Sequence, residues 1–181
     1  GDRMQGMSEC MFDLIQLQAG TWPYKAQSFD LNHAVQDCIA VSDSQGNEDA
    51  QAADQIRIDF QPLADSVQAY GDPAAFRKML TLLLLNATST SAAASEVRVH
   101  LDTAGPETVL VVSDQGSGIG LEVAAQINDP YGSVWQGSDG TSVQNLRFAV
   151  AAGLAALAGS SLGLADSPEG GTRASVSLKG N

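Results

Sequence analysis

Apolar residues along this chain switch several times between helical spacing and strict alternation. Met4, Met7, Met11 and Leu14 follow one another at intervals of 3, 4 and 3, the spacing of a heptad seam, and Ile15 and Leu17 widen it. Gly20 and Pro23 end that helix. One and a half heptads suit a bundle helix and a lone amphipathic helix packed on its own domain equally well. The pattern starts without an N-cap, as a segment of something longer would.

Asp30 is placed to cap a helix from Leu31 to about Val41, with Phe29 positioned to staple onto Ala34. Residues 42–54 are small and polar and predict a loop. Across Gln55–Gln61, Ile56, Ile58 and Phe60 alternate with Arg57 and Asp59, which predicts a half-buried strand. Asp72-Pro73 is an N-cap followed by proline at the first helical position, opening a helix through Phe76, Met79, Leu80 and Leu82–Leu85. Glu96–Leu101 alternates, and Thr108–Val112 is apolar throughout, as a central strand is. A glycine-rich turn, a short helix to about Ile127 and a loop over Asn128–Ser142 come next. A small-residue helix then runs to Ala158, capped by Gly159, and a hairpin pairs Ser161–Ala165 with Arg173–Leu178. The predicted class is α+β: a two-layer α/β sandwich, a mixed sheet with helices on one face, preceded by a helical segment.

Composition narrows the function. Nine basic against twenty-one acidic side chains give a net charge of −12. Nucleic acids and anionic membranes attract proteins through Lys and Arg, so neither is an expected partner. Cys10 and Cys38 are too few for a disulfide framework and point to a reducing, cytoplasmic setting. The most apolar long stretch, Leu146–Ala165, contains Arg147 and is built largely from Ala, Gly and Ser, too weak to span a bilayer. An anchor upstream of this segment in the full-length protein stays open.

Chemistry concentrates at Asp114-Gln115-Gly116-Ser117-Gly118-Ile119-Gly120, directly after the apolar strand. Alternate glycines allow close backbone approach and positive φ, and the aspartate can accept from an amino group. The order is not the dinucleotide fingerprint, and the Lys-Ser/Thr of a P-loop is missing. Alone, such a stretch is more often a simple turn than a nucleotide site.

The collinear set is more specific. An aspartate-capped helix ending in Asn86-Ala87, two strands and D-x-G-x-G-x-G together resemble the ATP-binding catalytic domain of sensor histidine kinases, the Bergerat type. Residues 1–21 are similar to the second helix of that family's dimerisation hairpin, and residues 22–181 to its catalytic domain. The resemblance implies that Asn86 helps hold Mg²⁺ against the ATP phosphates, a hard oxygen ligand for a hard cation. Asp114 would accept from the adenine amino group, with Gly116, Gly118 and Gly120 around the nucleotide. It also implies a response-regulator receiver domain as partner and a homodimer formed through residues 4–17 with a first helix that is not in this chain.

The departures lie at the phosphate end. Leu82 and Ser89 stand where the family carries a second asparagine and a lysine. Apolar phase places Val143-Gln144-Asn145-Leu146-Arg147-Phe148 over the family's second glycine box, G-T-G-L-G-L, so all three glycines are replaced. The alternative, Gly140-Thr141-Ser142, needs three extra residues before the apolar pattern. Glycines there let helix amides approach phosphates, and β-carbons obstruct that. Arg147 either pairs with a phosphate or faces solvent. His33 and His100 occupy neither the place nor the setting of a phosphoacceptor, so no catalytic residue is expected in this chain. Three readings follow: a signalling fragment with a degenerate site and weak or no Mg²⁺-ATP binding, a competent kinase domain, and a non-enzymatic interaction module.

Overall fold

The computed structural model describes residues 2–45, 56–92, 94–116, 118, 127, 143–168 and 170–180. The predicted short helix before Ile127, the following loop, Gly120 and Gly140 lie outside the described residues.

Five strands form one mixed sheet in the order β2-β4-β5-β7-β6. β2 (Arg57–Phe60) runs parallel to β4 (Glu96–Asp102), and β4, β5 (Thr108–Ser113), β7 (Thr172–Leu178) and β6 (Leu162–Asp166) pair antiparallel. In β4, Val97, Val99 and Leu101 are buried while Arg98 and His100 are exposed, so alternation sets which face meets the core. β5 lies between β4 and β7, with Leu110 opposite both Leu101 and Val176. Leu110, Val111 and Val112 are all buried, the expected signature of a central strand.

Two long helices cover the sheet and pack on each other. α3 (Pro73–Thr90) is capped by Asp72, whose Oδ1 accepts from Ala74 N at 2.9 Å and Ala75 N at 3.5 Å, while Oδ2 accepts from Lys25 N at 2.9 Å. α4 (Val143–Leu157) buries Leu146, Val150, Ala151 and Leu154 and ends at Gly159, whose φ of +74° suits a helix C-terminus.

The N-terminal helix α1 (Asp2–Ala19) docks on α4. Cys10 is buried, Leu14 and Leu17 pack on the core, and Lys78 Nζ of α3 lies 3.3 Å from Asp13 Oδ2. Leu17 rests on Gly153, where a β-carbon would come within 2.8 Å of its Cδ1. Met11, Phe12 and Ile15 point outward and are more than half exposed. The expected seam is therefore split: Leu14 turns into the domain and Met11 away from it. The side chains of Met4 and Met7 lie outside the described residues.

Two elements differ from expectation. β1 (Gln27–Asp30) and β3 (Gln68–Gly71), not predicted, form a separate two-stranded antiparallel sheet. Each has four residues with few apolar side chains, too short to show apolar alternation. Phe29 of β1 sets its ring against Phe76, with centroids 5.4 Å apart. α2 (Leu31–Gln45) also continues through Ser42–Gln45, where polar residues predicted a loop. Its start is as expected: Asp30 Oδ1 accepts from His33 N at 2.8 Å, and Ser66 Oγ donates to Oδ2.

Candidate functional site

The C-terminal half of α3 carries Asn86 into the interior, 3% exposed, beside Leu82, Leu83 and Ala87. Its side-chain amide is engaged at both ends by α4. Nδ2 donates to the Gln144 carbonyl at 2.9 Å, and Oδ1 accepts from Arg147 Nη1 at 3.4 Å. Gln144 and Arg147 are three residues apart and so share the helix face turned to α3. Ser89 Oγ and Thr90 Oγ1 donate to the Asn86 backbone carbonyl at 3.0 and 3.1 Å. Ser89 thus bonds locally at the helix end, and Leu82 is core.

Asp114 follows β5 and is 7% exposed. Its Oδ1 accepts from Gly116 N at 2.9 Å and Thr172 N at 3.0 Å, and its own N donates to the Thr172 carbonyl at 3.0 Å. The aspartate is thus clamped to the first residue of β7. Gly171 makes this possible: its φ is +86°, and a β-carbon there would lie 2.3 Å from the Asp114 carbonyl oxygen. Gly116 is hemmed in likewise, since a β-carbon would lie 2.6 Å from the Thr90 carbonyl oxygen. Asp114, Gly116, Thr90 and Asn86 therefore form one contiguous chain of contacts between the end of β5 and the end of α3.

Gly118, with φ +80°, lies beside Asp166, whose Oδ1 would sit 3.0 Å from an added β-carbon. Arg147 is half-buried rather than solvent-facing, with its guanidinium against Asn86. Burial lowers the Arg147 pKa, with the Cys10 thiol as a small opposing influence; burial raises that of Cys10, which the guanidinium counters. Arginine nonetheless stays protonated across the range where proteins fold. Asn145 is half-buried on the same helix turn. The side chain of Val143 lies outside the described residues.

A model of the family described as histidine kinase-, DNA gyrase B- and HSP90-like ATPases matches residues 71–181, more than half of the chain. The chain belongs to this family. No curated protein matches it in sequence. Among solved structures, the Acinetobacter baumannii histidine kinase AdeS is similar at 15% identity, with 96% of this chain and 77% of that one covered and a TM-score of 0.69. Full-length ShkA in complex with AMPPNP aligns at 18% identity and a TM-score of 0.75, over all of this chain but only 37% of its own length. The ATP-binding domain of PrrB from Mycobacterium tuberculosis aligns at 18% identity, covering 86% of this chain and 98% of PrrB, with a TM-score of 0.63. At these identities the likeness establishes the fold.

Within this ATPase-family fold, Asn86, Asp114, Gly116 and Arg147 are brought into one connected region, and Gly118 follows on the β7 side. Gly171, Thr172, Thr90 and Gln144 were not singled out from sequence. The Gly170-Gly171-Thr172 run, two glycines directly before a strand that pairs with β5, is the signal that could have found the first two. Gln144 and Thr90 contribute through a backbone carbonyl and a close approach, for which no sequence signal exists. Among the described residues no cluster of three or more His, Cys, Asp or Glu side chains could hold a metal ion. The single oxygen expected to meet Mg²⁺, Asn86 Oδ1, instead faces a guanidinium, and that arrangement does not fit a divalent cation.

Proposed function

We propose that this chain is a signalling fragment of a two-component histidine-kinase-like protein: the end of a dimerisation hairpin followed by an ATPase-family domain whose nucleotide site is degenerate. It acts in the cytoplasm through binding a response-regulator receiver domain and controlling a phosphorelay, rather than by transferring phosphate from ATP. The observation that carries this reading is the position of α4. Its first turn, starting at Val143, lies directly against Asn86 through Gln144, which supports the register that puts Val143, Asn145 and Arg147 in place of the three glycines. The fragment has no histidine in a phosphoacceptor setting, and the outward face of Met11, Phe12 and Ile15 supports pairing of α1 within a dimer.

The phosphate end decides the affinity. Removing two or three hydrogen bonds to charged groups, at about 1.5–3 kcal/mol each, amounts to roughly 3–9 kcal/mol, or about two to six orders of magnitude in Kd. Arg147, committed to Asn86, restores little of that. Calorimetric titration of the whole chain with ATP and Mg²⁺ tests the reading. Weak or undetectable heat is expected. Low-micromolar binding would overturn it in favour of a competent kinase domain that retains Asp114, Gly116 and Gly118 for the nucleotide.

A further inference from the structure

Asn86 is the most deeply buried polar side chain among the described residues, and its environment fixes which way the amide points. The NH₂ group faces a carbonyl, that of Gln144, and the oxygen faces a donor, the Arg147 guanidinium. Flipping the amide would set NH₂ against guanidinium and oxygen against carbonyl, two mismatches at once. A single orientation therefore satisfies the site, and in that orientation the oxygen is directed at a positive charge belonging to the protein.

Six residues on from Arg147, α4 is covered by α1, where Leu17 lies against Gly153. A divalent ion on Asn86 Oδ1 would stand about 2.1 Å from that oxygen, and the guanidinium nitrogen is 3.4 Å from it. The ion and the guanidinium would bring two positive charges onto the same oxygen, and their like sign disfavours the second cation in a half-buried place.

We propose that Arg147 is a tethered cation standing in for the divalent metal at Asn86, so that this domain is metal-independent. This rests on the degenerate-site reading and adds to it what replaces the metal. Any phosphate-bearing ligand of the site is taken in its metal-free form, with the guanidinium as its counter-charge. Mg²⁺ neither binds at Asn86 nor alters the packing of α4 on α3.

The test follows the side-chain NH₂ signals of Asn86 in the ¹⁵N-labelled whole chain during titration with Mn²⁺, with and without ATP. Asn32, whose side chain bonds both ways with Leu63, is the internal reference for non-specific attraction of Mn²⁺ to an acidic protein. The wild-type Asn86 signals are expected to broaden no more than those of Asn32. In Arg147→Met, which keeps the aliphatic stem and removes the charge, Asn86 should broaden selectively. Selective broadening of Asn86 in the wild type overturns the proposal, and so does an Arg147→Met variant as insensitive as the wild type. Should Arg147→Met fail to fold, the wild-type titration decides, joined by ATP affinity in Mg²⁺ against EDTA, expected to differ less than twofold. A larger gain from Mg²⁺ counts against the tethered cation. Tight ATP binding in EDTA would defeat the weak-binding reading while leaving Arg147 in its role; Mn²⁺ at Asn86 would defeat the tethered cation at any ATP affinity.

Discussion

The two ends of the candidate site are held in different ways. At the Asp114 end, the family-like residues are retained, and the domain's own packing is enough to demand them. Gly171 touches the Asp114 carbonyl, Gly116 touches the Thr90 carbonyl, and the Asp114 carboxylate ties β5 to β7. At the Asn86 end, the asparagine amide is engaged by α4, through the Gln144 backbone carbonyl and the Arg147 side chain. A glycine-rich motif can thus report on folding rather than on a ligand.

If packing preserves the Asp114 end, damage there should show first as instability. Gly171→Ala must place a β-carbon 2.3 Å from a backbone oxygen at a φ of +86°. Positive φ alone costs about 1–2 kcal/mol and the overlap adds to it, so a loss of roughly 3 kcal/mol or more is expected in urea unfolding. A loss below about 1 kcal/mol would show that the clamp on Asp114 is loose.

The Asn86 end should respond less. Asn86→Ala strips the Gln144 carbonyl and the half-buried Arg147 of their partner, for an expected loss of about 2 kcal/mol. A neutral or stabilising result in the same unfolding assay would mean that α4 does not depend on this contact.

How much of this was legible beforehand depended on the kind of signal. The Asp72-Pro73 cap, the alternation in β4 and the apolar run of β5 are side-chain patterns with a local cause, and they led to the right elements. Asn86 and Asp114 stood out because a resemblance in order, not any single motif, joined them. β1 and β3 were invisible because Gln27–Asp30 and Gln68–Gly71 are four-residue segments with few apolar side chains, too short to show a period. Ser42–Gln45 continue α2 although their composition favours a loop, a case of context overriding propensity. Arg147 was given two roles, towards phosphate or towards solvent. In the structure it turns inward onto Asn86 instead of facing solvent, because an inward turn depends on where α3 lies, and a linear pattern does not contain that.

Gly153→Ala tests the docking of α1 on α4. Alanine gains up to about 1 kcal/mol over glycine inside a helix, but its β-carbon must displace the tip of Leu17. With α1 in place the change should be close to neutral. The full gain of about 1 kcal/mol would mean that α1 is not seated on α4.

Another small effect lies away from the site and serves as its control. The Ser66 hydroxyl, then the His33 amide, lower the pKa of Asp30 below that of a free aspartate. The resulting stability is present above the unfolded-state value of about 4 and is lost as pH falls through the folded one. Asp30→Asn keeps a capping side chain and removes the charge. It should cost a few tenths of a kcal/mol at neutral pH, with the difference from wild type vanishing in acid. A difference that persists unchanged in acid would rule out the carboxylate as its source.

The comparison between the two ends is tested most directly by changing the divergent end alone. With Val143, Asn145 and Arg147 all replaced by glycine and Asp114, Gly116 and Gly118 untouched, ATP affinity in the presence of Mg²⁺ should rise at least about tenfold over wild type, a gain of about 1.4 kcal/mol. An affinity equal to wild type would contradict the account: the loss would then lie elsewhere than in the first turn of α4.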